Sequence, residues 1–248
     1  MGLNESITAA IATALVGPAR RTGILRGTCP HCSRTVEYEP VGFLPKIVPL
    51  CEVCEARQTG TWAETERRQA WQRHFQARMP AIYQQAEARL VQPCFQPALT
   101  WKPGGNKPGG LGIIGQAGTG KSCALACRLF TLERSFRWWS GTEAREAAIE
   151  AASAEKDREG AARRWEAAMR VPLLVLDDIS QARFTEAWSS RLFDLLETRL
   201  SHGLPVLWTS QIPPDELRRK IVRQNGGDVG QAEAISRRLS QHSLVLRG

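Results

Sequence analysis

Short, continuous apolar runs recur in the C-terminal two thirds of the chain: Leu111-Gly112-Ile113-Ile114, Leu173-Leu174-Val175-Leu176 and Pro205-Val206-Leu207-Trp208. Runs of this length, without polar alternation, predict strands buried on both faces of a parallel sheet. Phe136-Arg137-Trp138-Trp139 predicts an additional strand. Trp188, Leu192, Leu195, Leu196 and Leu200 fall on one face of a helix and read as core. Thr142 to Met169, rich in Ala, Glu and Arg, predicts two helices broken near Gly160. Upstream, Glu64 to Gln92 carries only sparse apolar points, and Pro80 predicts two helices meeting at Met79-Pro80. Trp101 to Gly110 is a run of Pro, Gly and Lys that reads as a solvated loop. An amphipathic helix is expected to start near Asn4 or Ser6. Strands alternating with helices place the chain in the α/β class.

The net charge of +8, with a sequence pI of about 9.5, permits contact with nucleic-acid phosphates without requiring it, because no dense basic run is present. The longest apolar runs are far too short to span a bilayer. Met1 to Val16 has no basic start and carries Glu5, so it does not read as a signal peptide, and the expected location is the cytoplasm.

Four of the seven cysteines form two pairs, Cys29/Cys32 and Cys51/Cys54, separated by eighteen residues. Two CxxC turns can each offer two thiolates to one ion, and zinc favours four such ligands in a tetrahedron. The interval from Arg34 to Leu50 has room for a hairpin: Thr35 to Glu39 alternates as a strand, and Gly42 and Pro45 mark the return. The expectation is a zinc ribbon whose metal is structural, since a module this small buries little core of its own. His31, inside the first turn, reads as exposed.

Directly after the first apolar run comes Gly115-Gln116-Ala117-Gly118-Thr119-Gly120-Lys121-Ser122, which matches GxxxxGK[ST] at every fixed position. Glycines let backbone amides face a triphosphate, and the following helix adds the positive end of its dipole. The candidate ATP-binding set is Gly115, Gln116, Ala117, Gly118, Thr119, Gly120, Lys121, Ser122 and Cys123. The thiols of Cys123 and Cys127, on that helix, read as packing. Lys121 supplies a point charge to the β and γ phosphates, and the Ser122 hydroxyl a ligand to magnesium. The second run ends in Asp177-Asp178. Asp177 is placed to partner Mg²⁺ and Asp178 to polarise the attacking water. Where many ATPases carry Glu, the shorter Asp178 implies slow hydrolysis. Taken alone, this pair also suits an N-cap at a strand-to-helix turn. The third run ends in Thr209-Ser210-Gln211, whose polar terminus can sense a γ-phosphate.

These strings together resemble the AAA+ ATPases of the DnaC/IstB group of helicase loaders and transposition helpers. The resemblance runs from about Met79 to the C-terminus. It rests on Met79-Pro80-Ala81-Ile82-Tyr83, the phosphate loop, the paired aspartates, Leu192 to Arg199, and Thr209-Ser210-Gln211 where the group has Thr-Ser-Asn. It extends to Ala234-Ile235-Ser236-Arg237-Arg238-Leu239. There it implies that Arg238 is the arginine finger reaching a neighbour's ATP site, with Arg237 the alternative. It further implies a core without a helical lid, and a small zinc-binding domain that contacts a helicase.

The organisation expected is a zinc-binding domain over 1–62, a helical linker over 63–92 and an AAA+ domain over 93–248. The expected catalytic residues are Lys121, Asp177, Asp178, Gln211 and Arg238. The resemblance implies an ATP-dependent loader that self-associates through its finger, holds single-stranded DNA and delivers a hexameric replicative helicase, in a bacterial or phage-infected cell. Arg145, Arg158, Arg163, Arg164 and Arg170 are candidates for phosphate contact, or for an ordinary solvated face paired with glutamates. Two other functions stay open: a transposition helper on duplex DNA, and a zinc-dependent adaptor that uses ATP only as a conformational switch.

Overall fold

The computed structural model describes residues 24–38, 48–104, 109–152 and 158–248. The chain divides into two compact units, 1–69 and 70–248.

In the first unit, β1 (Leu25–Thr28) pairs antiparallel with β2 (Thr35–Tyr38), Leu25 opposite Tyr38 and Thr28 opposite Thr35. The first CxxC therefore lies in the turn of this hairpin, with the Cys29 amide donating to the Arg34 carbonyl at 2.8 Å. The strand expected at Thr35 is present, and its described partner, β1, precedes Cys29. The expected return at Gly42 and Pro45 lies outside the described residues. Cys51 and Cys54 do not form a second knuckle. They sit at the head of the long helix α1 (Glu52–Arg78), where i and i+3 share a face. The four cysteines of the zinc-ribbon-like module thus come from one knuckle and one helix start. No second helix follows Pro80: α1 stops at Arg78, and Ala81–Tyr83, Ala88–Leu90 and Pro93–Thr100 are 3₁₀ turns.

The second unit is built on a five-stranded, wholly parallel sheet. Its strands are β3 (Gly110–Ile114), β4 (Phe136–Ser140), β5 (Leu173–Asp177), β6 (Val206–Ser210) and β7 (Ser243–Arg247), in the order β4-β5-β6-β3-β7. All of β3, β5 and β6 is buried, as continuous apolar runs require. The helices are α2 (Lys121–Leu132), α3 (Gly141–Ala152), α4 (Arg158–Arg170), α5 (Glu186–Ser201), α6 (Pro214–Gln224) and α7 (Val229–Gln241). Gly160, where the sequence predicts a break, lies inside α4. The edge strand β7 escapes a pattern search, since Ser-Leu-Val-Leu-Arg is only half buried.

Two large side chains tie these layers. Gly112 has no room for a Cβ, which would lie 2.3 Å from the Trp208 indole. Trp208 is fully buried and donates to the Leu239 carbonyl at 3.2 Å and the Ser243 hydroxyl at 3.1 Å, joining β6 to α7 and β7. Arg199 on α5 is also fully buried, and sequence patterning gives no hint of it. Its guanidinium donates to the carbonyls of Ala168 (2.7 Å), Val171 (2.9 Å) and Pro205 (2.8 Å), capping the end of α4. Burial pulls its pKa down to about 10.

Arg199→Leu strips a partner from the Ala168, Met169, Val171 and Pro205 carbonyls, so it is expected to cost about 3 kcal/mol in urea unfolding. A loss below about 1 kcal/mol would show that the cap is dispensable.

Candidate nucleotide and metal sites

The parallel order β5-β6-β3 brings three strand ends to one place. Asp177 closes β5, Ser210 closes β6, and the loop Gly115–Gly120 leaves β3 for α2. The Gly115 amide donates to the Ser210 carbonyl at 3.1 Å, anchoring the loop to β6. Gly118 (φ 78°) and Gly120 (φ 86°) take the left-handed conformation that lets the loop curl and start a helix. Lys121, buried at 6% exposure, donates through Nζ to the Gln116 carbonyl at 2.8 Å, and Thr119 Oγ1 donates to the same oxygen at 2.9 Å. The loop thus closes around its own lysine.

Across from it, the Ser122 hydroxyl donates to Asp177 Oδ1 at 2.6 Å, and Thr209 Oγ1 donates to the same oxygen at 2.7 Å. Burial raises the Asp177 pKa, the largest influence; donation by Ser122 and Thr209 works the other way. Next to it, Asp178 sits at φ 50°, a left-handed conformation uncommon outside glycine. Its amide donates to Thr209 Oγ1 at 2.7 Å. Its carboxylate accepts from Gln211 Nε2 at 2.7 Å and from the Ser180 hydroxyl at 2.9 Å. The phosphate loop, Asp177, Asp178 and Gln211, far apart in sequence, therefore meet in one cluster. The alternative use as an N-cap finds no support at Asp178, which makes no side-chain cap to the turn that follows it.

Tyr83, on a 3₁₀ turn of the segment leading into the core, was not among the expected site residues. Its ring lies 5.3 Å from that of Trp138. Burial raises its pKa first of all, and its hydroxyl interacts with Ser122 and Asp177. Only the string Met79–Tyr83 hinted at it. Cys123, at the base of α2, is half-buried, and burial raises its thiol pKa, in keeping with packing.

Arg238, on α7, has other company. It donates to Glu197 at 2.6 Å and to the Ala234 carbonyl at 3.2 Å, and lies 4.3 Å over the Phe193 ring. Arg237, beside it, is exposed. Among the candidate phosphate-contacting arginines, Arg164 pairs with Glu150 at 2.9 Å and Arg163 with Glu159 at 3.4 Å. The Arg158 side chain is outside the described residues. A further cavity of about 840 Å³ opens beside Ser180 and Gln211, lined by Arg218, Arg219, Lys220 and Arg223 of α6.

In the first unit the four cysteine sulfurs all lie within 4.8 Å of one another, Cys32 and Cys51 at 3.6 Å. A tetrahedral zinc ion with ligands at about 2.3 Å separates its sulfurs by roughly 3.8 Å, so the donor set is compatible with zinc. The Cys51 amide, donating to Cys29 Sγ at 3.4 Å, is the main cause of a Cys29 pKa lowered to about 6. Side-chain hydrogen bonding with Cys51 and Cys32, with burial, pushes the Cys54 thiol up to about 12. His31 is exposed, as expected.

No protein-family model matches the chain, and comparison with curated sequences finds no match. Solved structures do match. The DnaI structure is 19% identical with a TM-score of 0.53, covering 68% of this chain and 94% of DnaI. At this identity the likeness is one of fold. The DnaC helicase loader superposes with a TM-score of 0.51 at 14% identity, over 68% of this chain and 99% of its own. A structure described as a primosome component from Streptococcus pyogenes serotype M3 gives 0.51 at 21% identity, over 68% and 89%. Among the described residues, no helix is long and apolar enough to cross a membrane.

The purified full chain is expected to carry about one zinc ion. Cys51→Ser should lose that metal while the second unit stays folded by circular dichroism. Full zinc content in the variant would overturn the ligand set.

Proposed function

We propose that this chain is an ATP-hydrolysing helicase loader. The observation that carries the reading is the Ser122–Asp177–Thr209 cluster at the mouth of a GxxxxGK[ST] loop, on the fold shared with the DnaC helicase loader and DnaI. A hydroxyl and a buried carboxylate sharing one hydrogen bond form a ready ligand pair for Mg²⁺, which when bound neutralises and orients the phosphates. Lys121 leaves the Gln116 carbonyl for the β and γ phosphates, and the amides of Gly118 and Gly120 turn toward them. Asp178 orients the attacking water. Gln211, now on Asp178, shifts its amide toward the γ-phosphate, so the catalytic carboxylate is released only in the loaded state. The short reach of Asp178 keeps turnover slow.

The first unit serves as the partner-recognition element. Ile24, Val53 and Trp62 are each at least 60% exposed there, which suits docking to a hexameric helicase more than a purely structural role. Self-association supplies an arginine of the Arg237–Arg238 pair to a neighbour's ATP site. Arg238 must first leave Glu197 and Phe193, whereas Arg237 is already exposed. Single-stranded DNA is the expected nucleic-acid partner, and the site of action is the cytoplasm.

Lys121→Ala is expected to weaken ATP binding at least about a hundredfold in equilibrium titration, whereas Asp178→Ala should keep binding and lose at least about a hundredfold in kcat. Unchanged turnover in either variant would refute the assigned role. In the assembled form, Arg238→Ala should bind ATP normally and hydrolyse it slowly; loss confined to Arg237→Ala would move the finger by one residue. Co-purification with a hexameric helicase supports the loader, and capture of a transposase in its place would favour the transposition helper.

A further inference from the structure

Asp178 carries an unfavourable backbone conformation, and left-handed strain in a non-glycine residue persists only where its surroundings impose it. Three residues supply that constraint. Thr209 holds the amide, Gln211 holds Oδ2, and Ser180 holds Oδ1. Ser180 does more than the other two. Its hydroxyl, 3% exposed with the rest of the residue, donates to Asp178 at 2.9 Å and accepts the Gln211 amide at 3.0 Å. One oxygen therefore spaces the catalytic carboxylate from the γ-phosphate sensor and ties the two together. Its own carbonyl accepts from Lys220, which reaches it from α6 across the basic cavity.

We infer that Ser180 is a positioning residue for ATP hydrolysis, with Lys220 fixing its main chain. It touches neither substrate nor metal. It sets the rotamer of Asp178 and the main-chain position of Gln211, so that the water-orienting carboxylate stays in place when the Gln211 side chain leaves it for the γ-phosphate. Residues that hold a catalytic group in this way characteristically control rate and leave ground-state affinity unaltered. The inference rests on the ATPase reading for its kinetic consequence, but the local geometry can be tested with no nucleotide present.

Two readouts on the full chain decide it. In the nucleotide-free protein, amide exchange at Gln211, whose N–H donates to Ser180 Oγ, should accelerate by about tenfold in Ser180→Ala and stay near the parent value in Ser180→Thr. In turnover, Ser180→Ala should lower kcat by about tenfold or more with the ATP dissociation constant changed less than about twofold, and Ser180→Thr should recover most of the rate. Lys220→Met should follow Ser180→Ala in direction. Added to Asp178→Ala, Ser180→Ala should cost nothing further, because the two act together. Full activity and unaltered Gln211 exchange in Ser180→Ala would overturn the inference and leave the ATPase reading standing. A parent chain that binds ATP without turning it over would sink the hydrolytic reading and the kinetic role together.

Discussion

One oxygen atom organises the site. Oδ1 of Asp177 accepts from Ser122 on α2 and from Thr209 on β6, so three segments of chain converge on a single buried acceptor. That convergence requires β5 and β6 to lie side by side and β3 to lie next to β6, all pointing the same way. A parallel sheet with this order delivers it, and only a sheet buried on both faces holds the strand ends still enough. The large buried groups serve that end. Trp208 fills the space that Gly112 leaves, and Arg199 closes the end of α4 against the start of β6. A carboxylate placed in so dry a setting is costly unless cations or donors surround it. The two hydroxyls meet part of that cost, and magnesium with a triphosphate would meet the rest.

Around this point the groups are set for change. Lys121 rests on the loop's own carbonyl and Gln211 rests on Asp178. Both are contacts that a phosphate would replace. A bound nucleotide would offer new partners to both groups, and under the proposed function that exchange would couple binding to a change of conformation.

Much of this was legible beforehand where chemistry depends on near neighbours in the chain. The phosphate loop, the apolar runs ending in Asp177 and Gln211, and the two CxxC pairs are local patterns with a physical reason for each position. The parts that were not legible depend on distant partners. Ser180 looks like an unremarkable turn residue until Gln211 arrives from 31 positions away. Arg199 looks like a surface arginine on an amphipathic helix until the carbonyls of Ala168 and Val171 are seen against it. The edge strand β7 has too little burial to announce itself. The strand at Thr35–Tyr38 was legible, but not its pairing with Leu25–Thr28, which only the fold supplies. Likewise the pair at Cys51 and Cys54 reads alike as a knuckle or a helix start.

The central claim is that the loop at β3 and the Ser122–Asp177 pair together hold a magnesium-bound triphosphate. A crystal structure of the full chain grown with magnesium and a non-hydrolysable ATP analogue tests it most directly. The account predicts phosphates cupped by the Gly118, Gly120 and Lys121 amides, Lys121 Nζ moved from Gln116 to the γ-phosphate, and the metal on Ser122. A nucleotide bound elsewhere, or a loop unchanged with Lys121 still on Gln116 at saturating ligand, would contradict it.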